Sequence, residues 1–235
     1  LLLARWIFLL FRAVYHYLAS KKQDSTPGLT TLLKKSLLAR FNIIFAVVAT
    51  GFSGLSLEIL IIYSFQNIYG YVYQFIGFII ALFMTGLPLG AQISTKWMNQ
   101  KKRDRFQQFG WLLLIQICFM ALALVFPLLL KMVTVLGLTG KILICCLIAL
   151  DGVLVGALFP VALQVYIQKK DQAAVAAGII DASDHLGAAI GALFTGALLL
   201  PILGISGISN LIAIISAISV TLLIPHIVMS RRTIN

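Results

Sequence analysis

Long apolar runs alternate with short polar or basic connections along the chain. Six runs, 39–65, 71–95, 108–130, 142–167, 175–203 and 205–229, are near or above the ~20 residues a helix needs to cross ~30 Å of hydrocarbon. The pattern predicts an all-helical, polytopic bundle of six main transmembrane helices. The stretch 1–20 is also apolar but is interrupted by Arg5, Arg12 and His16. It reads as an additional amino-terminal helix, either the end of an earlier span or an amphipathic helix in the headgroup region. The chain starts at Leu, which leaves room for residues upstream, and no small-residue cleavage site follows as a signal peptide requires. The expected organisation is an amino-terminal helix with a basic linker over 1–37, a six-helix transmembrane domain over 38–230 and a basic tail over 231–235.

Composition agrees with the pattern. Of 235 residues, 61% are hydrophobic and 11% charged, more apolar than a soluble core requires. The net charge of +11 is distributed as a topology signal rather than as a nucleic-acid patch. One set of connections carries Lys21, Lys22, Lys34, Lys35 and Arg40, then Lys96, Lys101, Lys102, Arg103 and Arg105, then Lys169 and Lys170, then Arg231 and Arg232; the other carries only Lys131 and Lys141. Both ends of the bundle are therefore expected in the cytoplasm. Aromatic interleaving and a soluble nucleic-acid-binding motif are missing, so DNA is not the expected partner. Cys118, Cys145 and Cys146 lie within spans at no metal-ligand spacing and read as small buried apolar residues; neither metal nor cofactor is expected.

Connections at 66–70 and 203–204 are very short, so consecutive spans should pack as antiparallel hairpins. Gly86 and Gly90, Gly152 and Gly156, and Gly187 and Gly191 are pairs four apart, the spacing that lets helix backbones approach in lipid. Pro160, nine residues after Asp151, could turn its helix toward a cavity, although a kink repacked by its neighbours is the commoner outcome.

The candidate chemistry is acidic. Glu58, Asp151, Asp181 and Asp184 fall inside apolar spans, with His185 beside the last. A charged group at the bilayer centre costs about 2.5 to 3.5 kcal/mol on insertion scales, so such groups usually face a bundle interior. Asp181, Asp184, His185, Ala188, Gly191 or Ala192, and Thr195 recur at three and four residues, one helical stripe expected to face protein or water. Its acids should lie roughly 9 to 14 Å beyond Val175, with Asp151 entering from the opposite side. Glu58 shares a face with Gly54 and Thr50, extended outward by Gln66. Two carboxylates one turn apart cannot both ionise cheaply in a low dielectric without a cation or proton nearby. Either Asp184, His185 and Asp151 satisfy each other in a closed knot across two helices, or the acids line a cation or proton pathway. Phosphate-cradling loops, HExxH and nucleophile elbows are not found, so no catalytic residue is expected.

Gly51-Phe52-Ser53, Leu57-Glu58-Ile59, Phe65-Gln66, Gly70, Val72-Tyr73, Ile76-Gly77, Phe83-Met84, Gly86-Leu87 and Leu89-Gly90 form one block; Gly156, Phe159-Pro160, Ala177-Gly178, Asp184, Gly187-Ala188-Ala189, Gly191-Ala192, Leu200-Pro201 and Leu203-Gly204 form a second. In order and spacing they resemble the membrane domain of bacterial spermidine synthase-like proteins, similar to one six-helix half of a major facilitator-type transporter. The chain departs from that pattern at Asp181, where Tyr is usual, and at His185, where an apolar residue is usual. The resemblance implies a half-facilitator bundle in a bacterial inner membrane, with a homodimer or a second six-helix half as partner. It also implies an associated soluble aminopropyltransferase-like domain, which these 235 residues do not contain, so aminopropyl transfer would require its fusion or association. Two functions are expected from this: transport of a small cation or polyamine along the acids, or a non-transporting anchor or scaffold for such a domain.

Overall fold

The computed structural model describes residues 29–70, 73–99, 105–167 and 173–232. The expected helix over 1–20, the loop cations Lys101, Lys102, Arg103, Lys169 and Lys170, and residues 233–235 of the tail lie outside these. The chain divides into two units, 1–40 and 41–235. Of the first, only 29–40 is described, and it is helical, including the part up to 37 where the sequence reading placed the end of a basic linker. The account below concerns the second unit.

The described residues are almost entirely α-helical: α1 Leu29–Tyr69, α2 Tyr73–Asn99, α3 Arg105–Leu136, α4 Leu138–Tyr166, α5 Ala173–Phe194 and α6 Leu200–Arg232, with a π-turn over Thr195–Leu199. Five stretches are long and apolar enough to cross a membrane: Leu37–Tyr69, Tyr73–Met98, Phe106–Leu136, Leu138–Tyr166 and Ala173–His226. The last replaces two expected spans. Its 54 residues would measure roughly 81 Å if straight, but the helix is interrupted at Gly204, with φ 63° and ψ −177°. Pro160, by contrast, does not end α4, which continues to Tyr166.

Close approach at small residues sets the helix pairings. Gly152 of α4 meets Gly86 and Phe83 of α2, Gly156 meets Leu87, and Gly90 meets Val153; residue numbers rise together, so α2 and α4 run parallel. In the same way Gly187 meets Val48 and Gly191 meets Phe52, making α1 and α5 parallel. A Cβ at Gly156 would stand 2.7 Å from the Leu87 carbonyl carbon, closer than any side chain can sit. These contacts between backbones supply dispersion where lipid offers no hydrophobic drive.

Gly70 and Gly137 end α1 and α3 at φ 84° and 55°, a left-handed turn that glycine enters without a Cβ clash. They lie at one end of the bundle. There Tyr69 donates a hydrogen bond to the Gly137 carbonyl at 3.0 Å, and the Lys141 ammonium sits 5.1 Å from the Tyr69 ring and 5.4 Å from the Phe75 ring. At the other end Trp97 of α2 meets Trp111 of α3 edge to face, 5.1 Å between centroids, and Phe109 of α3 stacks on His226 of α6 at 5.8 Å. Asn42 of α1 donates to the Leu222 carbonyl at 2.9 Å and lies 2.9 Å from His226 Nε2. Large apolar side chains such as Phe78, Leu128, Met132, Leu186 and Ile202 are exposed around the outside, as lipid-facing positions require.

Candidate functional site

Helix α1 carries four of the buried hydroxyls and receives side-chain hydrogen bonds from α3 and from the π-turn. Its Thr50, Ser53, Ser56 and Ser64 are fully buried. Thr50, Ser53 and Ser64 return their hydroxyl protons to the carbonyl one turn earlier, at 3.0, 2.7 and 2.6 Å. Gln116 of α3 donates to the Ala46 carbonyl at 2.8 Å and to Thr50 Oγ1 at 2.6 Å. Thr195, the first residue of the π-turn, donates to Ser56 Oγ at 2.8 Å. The sequence reading did not single out Gln116; an uncharged amide isolated in a run of Leu, Ile and Phe carries little signal until its partner helix is known.

Glu58 and Asp151 are brought together. Gly54 of α1 lies against Val155 of α4, and because the two helices run antiparallel, one turn onward along α1 and one turn back along α4 sets Glu58 opposite Asp151. Asp151 is 0% exposed and Glu58 7%. Neither carboxylate oxygen of Asp151 has a hydrogen-bond partner among the described residues, and no Lys, Arg or His pairs with either acid there. Depth follows from the rise of 1.5 Å per residue: both acids lie roughly 15 to 16 Å from the Tyr69–Lys141 end, near the middle of a ~30 Å core.

The remaining acids are elsewhere. Asp184 of α5 packs on Gly51 of α1, and its Oδ1 is buried without a partner. Gly51 is seven residues, or roughly 10 Å, nearer the tryptophan end than Glu58. Asp181 and His185 have side chains 63% and 75% exposed. His185 Nδ1 donates to the Asp181 carbonyl at 2.9 Å and lies 3.7 Å from the Asp181 carboxylate. The expected stripe is therefore split: Asp184, Ala188, Gly191 and Thr195 face α1, while Asp181 and His185 turn outward. The knot of Asp184, His185 and Asp151 does not form. The pairs Val48–Gly187, Phe52–Gly191 and Ser56–Thr195 are each 139 positions apart, and the same offset sets Asp181 level with Asn42 at the tryptophan end, where water and headgroups are within reach. Gln66 is half-buried near the opposite end; its carbonyl accepts from the Gly70 N–H at 2.9 Å. Among the described residues no three His, Cys, Asp or Glu side chains converge to hold a metal ion.

Comparison of the chain with protein-family models, with curated proteins and with solved structures returned no match. Fold and site together define an all-helical protein whose helices suit a lipid bilayer and whose interior carries a carboxyl pair at mid-depth.

Proposed function

We propose that the chain is a transporter-like integral membrane protein of the spermidine synthase-like kind, taking a small cation, polyamine ammonium groups among them, at Glu58 and Asp151. The observation that carries this reading is Asp151, fully buried with both oxygens unpartnered beside a second carboxyl. A fold keeps so costly an arrangement where a mobile cation or proton is the missing partner. Its mid-membrane depth is where secondary transporters bind their ions. The proposal includes six crossings, α5 and α6 each spanning once: Gly204 repeats the positive φ with which Gly70 and Gly137 end α1 and α3. It also includes cytoplasmic bundle ends and, as in a facilitator, a second six-helix half supplied by a homodimer or another chain.

The test is flux into liposomes carrying the purified protein, with radiolabelled spermidine, sodium, potassium and a proton-sensitive dye as separate readouts. The expected result is movement of at least one cation above empty liposomes, abolished by Asp151→Asn with insertion intact. Wild-type flux at the empty-liposome level for all four, or equal flux in Asp151→Asn, would overturn the reading. The enclosure of Asp151 favours a second one, in which the bundle anchors an aminopropyltransferase-like domain and moves nothing; retention of that domain on membranes by an inactive bundle is its signature.

A further inference from the structure

We propose that the seam between α1, α3 and α6 holds bound water, which joins Gln116 of α3 to Ser216 and Ser219 of α6. The buried edge of α6 runs through Ser209, Ile212, Ser216, Ser219 and Leu223, all 0% exposed, at intervals of three and four. On α1, Thr50, Ser53 and Ser64 return their protons to their own helix. The hydroxyls of Ser209, Ser216 and Ser219 have no hydrogen-bond partner among the described residues, and neither does Gln116 Oε1. Polar atoms left unpaired in a buried seam cost free energy, and native folds supply them with a partner, from protein or from ordered water.

Register brings these atoms to one depth. α6 reaches the tryptophan end on its carboxyl-terminal side, so it runs antiparallel to α1 and α3, and it is tied there by Asn42 on the Leu222 carbonyl and by Phe109 on His226. Counting inward from Phe109 and His226 sets Ser219 level with Gln116, and Ser216 with Phe119. Counting from Asn42 and Leu222 sets Ser216 level with Val48, between the Ala46 and Thr50 that Gln116 bonds. The buried side chains beside them are short, with Ala46, Ala49 and Ser53 on α1 and Ala213 on α6. Glycine does not draw α6 inward as it does α4: Gly204 has nothing within 4 Å, and the nearest atoms to Gly207 belong to Leu203 of its own helix. That combination leaves width beside the hydroxyls for a molecule the size of water.

Chemistry selects the occupant. Full burial shuts out a lipid chain, and the lining is hydroxyl and amide rather than carbon alone. On α1, Glu58 and the Gly51 that carries Asp184 lie nearly opposite Asn42 and Ser53, so no described carboxylate enters the seam to hold a cation. Gln116 Oε1 can only accept, while a serine hydroxyl does either, and water answers both. A buried water makes about three hydrogen bonds to otherwise unsatisfied groups, the number that Gln116 Oε1, Ser216 and Ser219 offer. The site is separate from the carboxyl pair and independent of whether the protein transports.

X-ray radiolysis of the full chain in nanodiscs tests the proposal, because hydroxyl radicals formed from bound water oxidise side chains that bulk solvent does not reach. Phe119, 0% exposed and level with Ser216, reports on the seam; Phe83, 2% exposed and against Gly152 in the α2–α4 contact, is the dry reference. The expected result is oxidation of Phe119 at least twofold faster than that of Phe83. Ser216→Val combined with Ser219→Val fills the seam and removes both hydroxyls, and should bring Phe119 down to the Phe83 rate. Gln116→Leu, which removes the amide acceptor, should also slow Phe119, so a failure of the double variant to assemble does not leave the site untested. Equal rates for the two rings in the wild type, or an undiminished Phe119 rate in the assembled variants, would overturn the proposal. A high-resolution structure in which Ser219 bonds Gln116 directly would do the same.

Discussion

Gln116 lies 2.6 Å from Thr50 in the fully buried seam between α3 and α1, and the same amide nitrogen reaches the Ala46 carbonyl at 2.8 Å. One side chain thus links two helices through two acceptors while its own Oε1 has no partner among the described residues. Interhelical hydrogen bonds in membrane proteins average about 0.6 kcal/mol and reach about 1.7. Gln116→Leu is expected to destabilise the bundle by about 1 kcal/mol, read as a lower midpoint of unfolding in mixed micelles. A double-mutant cycle with Thr50→Val should recover part of that as coupling; strict additivity would show that the amide bonds only the backbone.

Asp151 has the opposite sign. Because neither oxygen is hydrogen bonded, replacing the carboxyl by an apolar group removes a desolvation cost and no partner. Asp151→Leu is expected to stabilise the fold by about 1 to 4 kcal/mol while abolishing cation binding, a trade between stability and activity. Thermal unfolding alongside the flux assay measures both, and a lower melting temperature in Asp151→Leu would mean the group has a structural partner.

Glycines at the seams differ from glycines in the open. A Cβ at Gly156 would strike the Leu87 backbone, whereas one at Gly178 meets nothing within 4 Å. Gly156→Ala should cost about 1 to 3 kcal/mol by forcing α2 from α4, and Gly178→Ala should be neutral or stabilising by up to about 1 kcal/mol. Comparing the two melting temperatures checks the α2–α4 contact without reference to function.

The number of crossings is decided by thiol accessibility. With Cys118, Cys145 and Cys146 replaced by Ala, Ser206→Cys, exposed just after Gly204, and Ser230→Cys, near the end of α6, are labelled with a reagent that cannot cross the membrane. Six crossings place them on opposite sides, Ser206→Cys with Leu138→Cys and Ser230→Cys with Lys96→Cys. Labelling of both from one side would mean that the chain between them does not cross.

Apolar length and the alternation of basic connections made the helical class and most span positions legible, because both depend on local composition. The last span boundary was read at 203–204, and the helix departs from regular geometry at that glycine, yet the ordered helix on either side makes one apolar stretch. Tertiary register was harder to read. Asp181, Asp184 and His185 share a stripe by spacing alone, but only the contact of Gly51 with Asp184 fixes which edge of the stripe is buried. Gln116 went unnoticed for the same reason: a single amide has meaning only against the helix it bonds.

The hydrogen bond from Thr195 to Ser56 joins residues 139 positions apart. At ~5 to 20 residues per second, roughly 7 to 28 seconds separate the synthesis of Ser56 from that of its α5 partner. During that interval the Ser56 oxygen lacks the hydroxyl that donates to it in the finished bundle. The newborn hairpin of α1 and α2 thus carries a half-finished polar seam that closes only once α5 has been made.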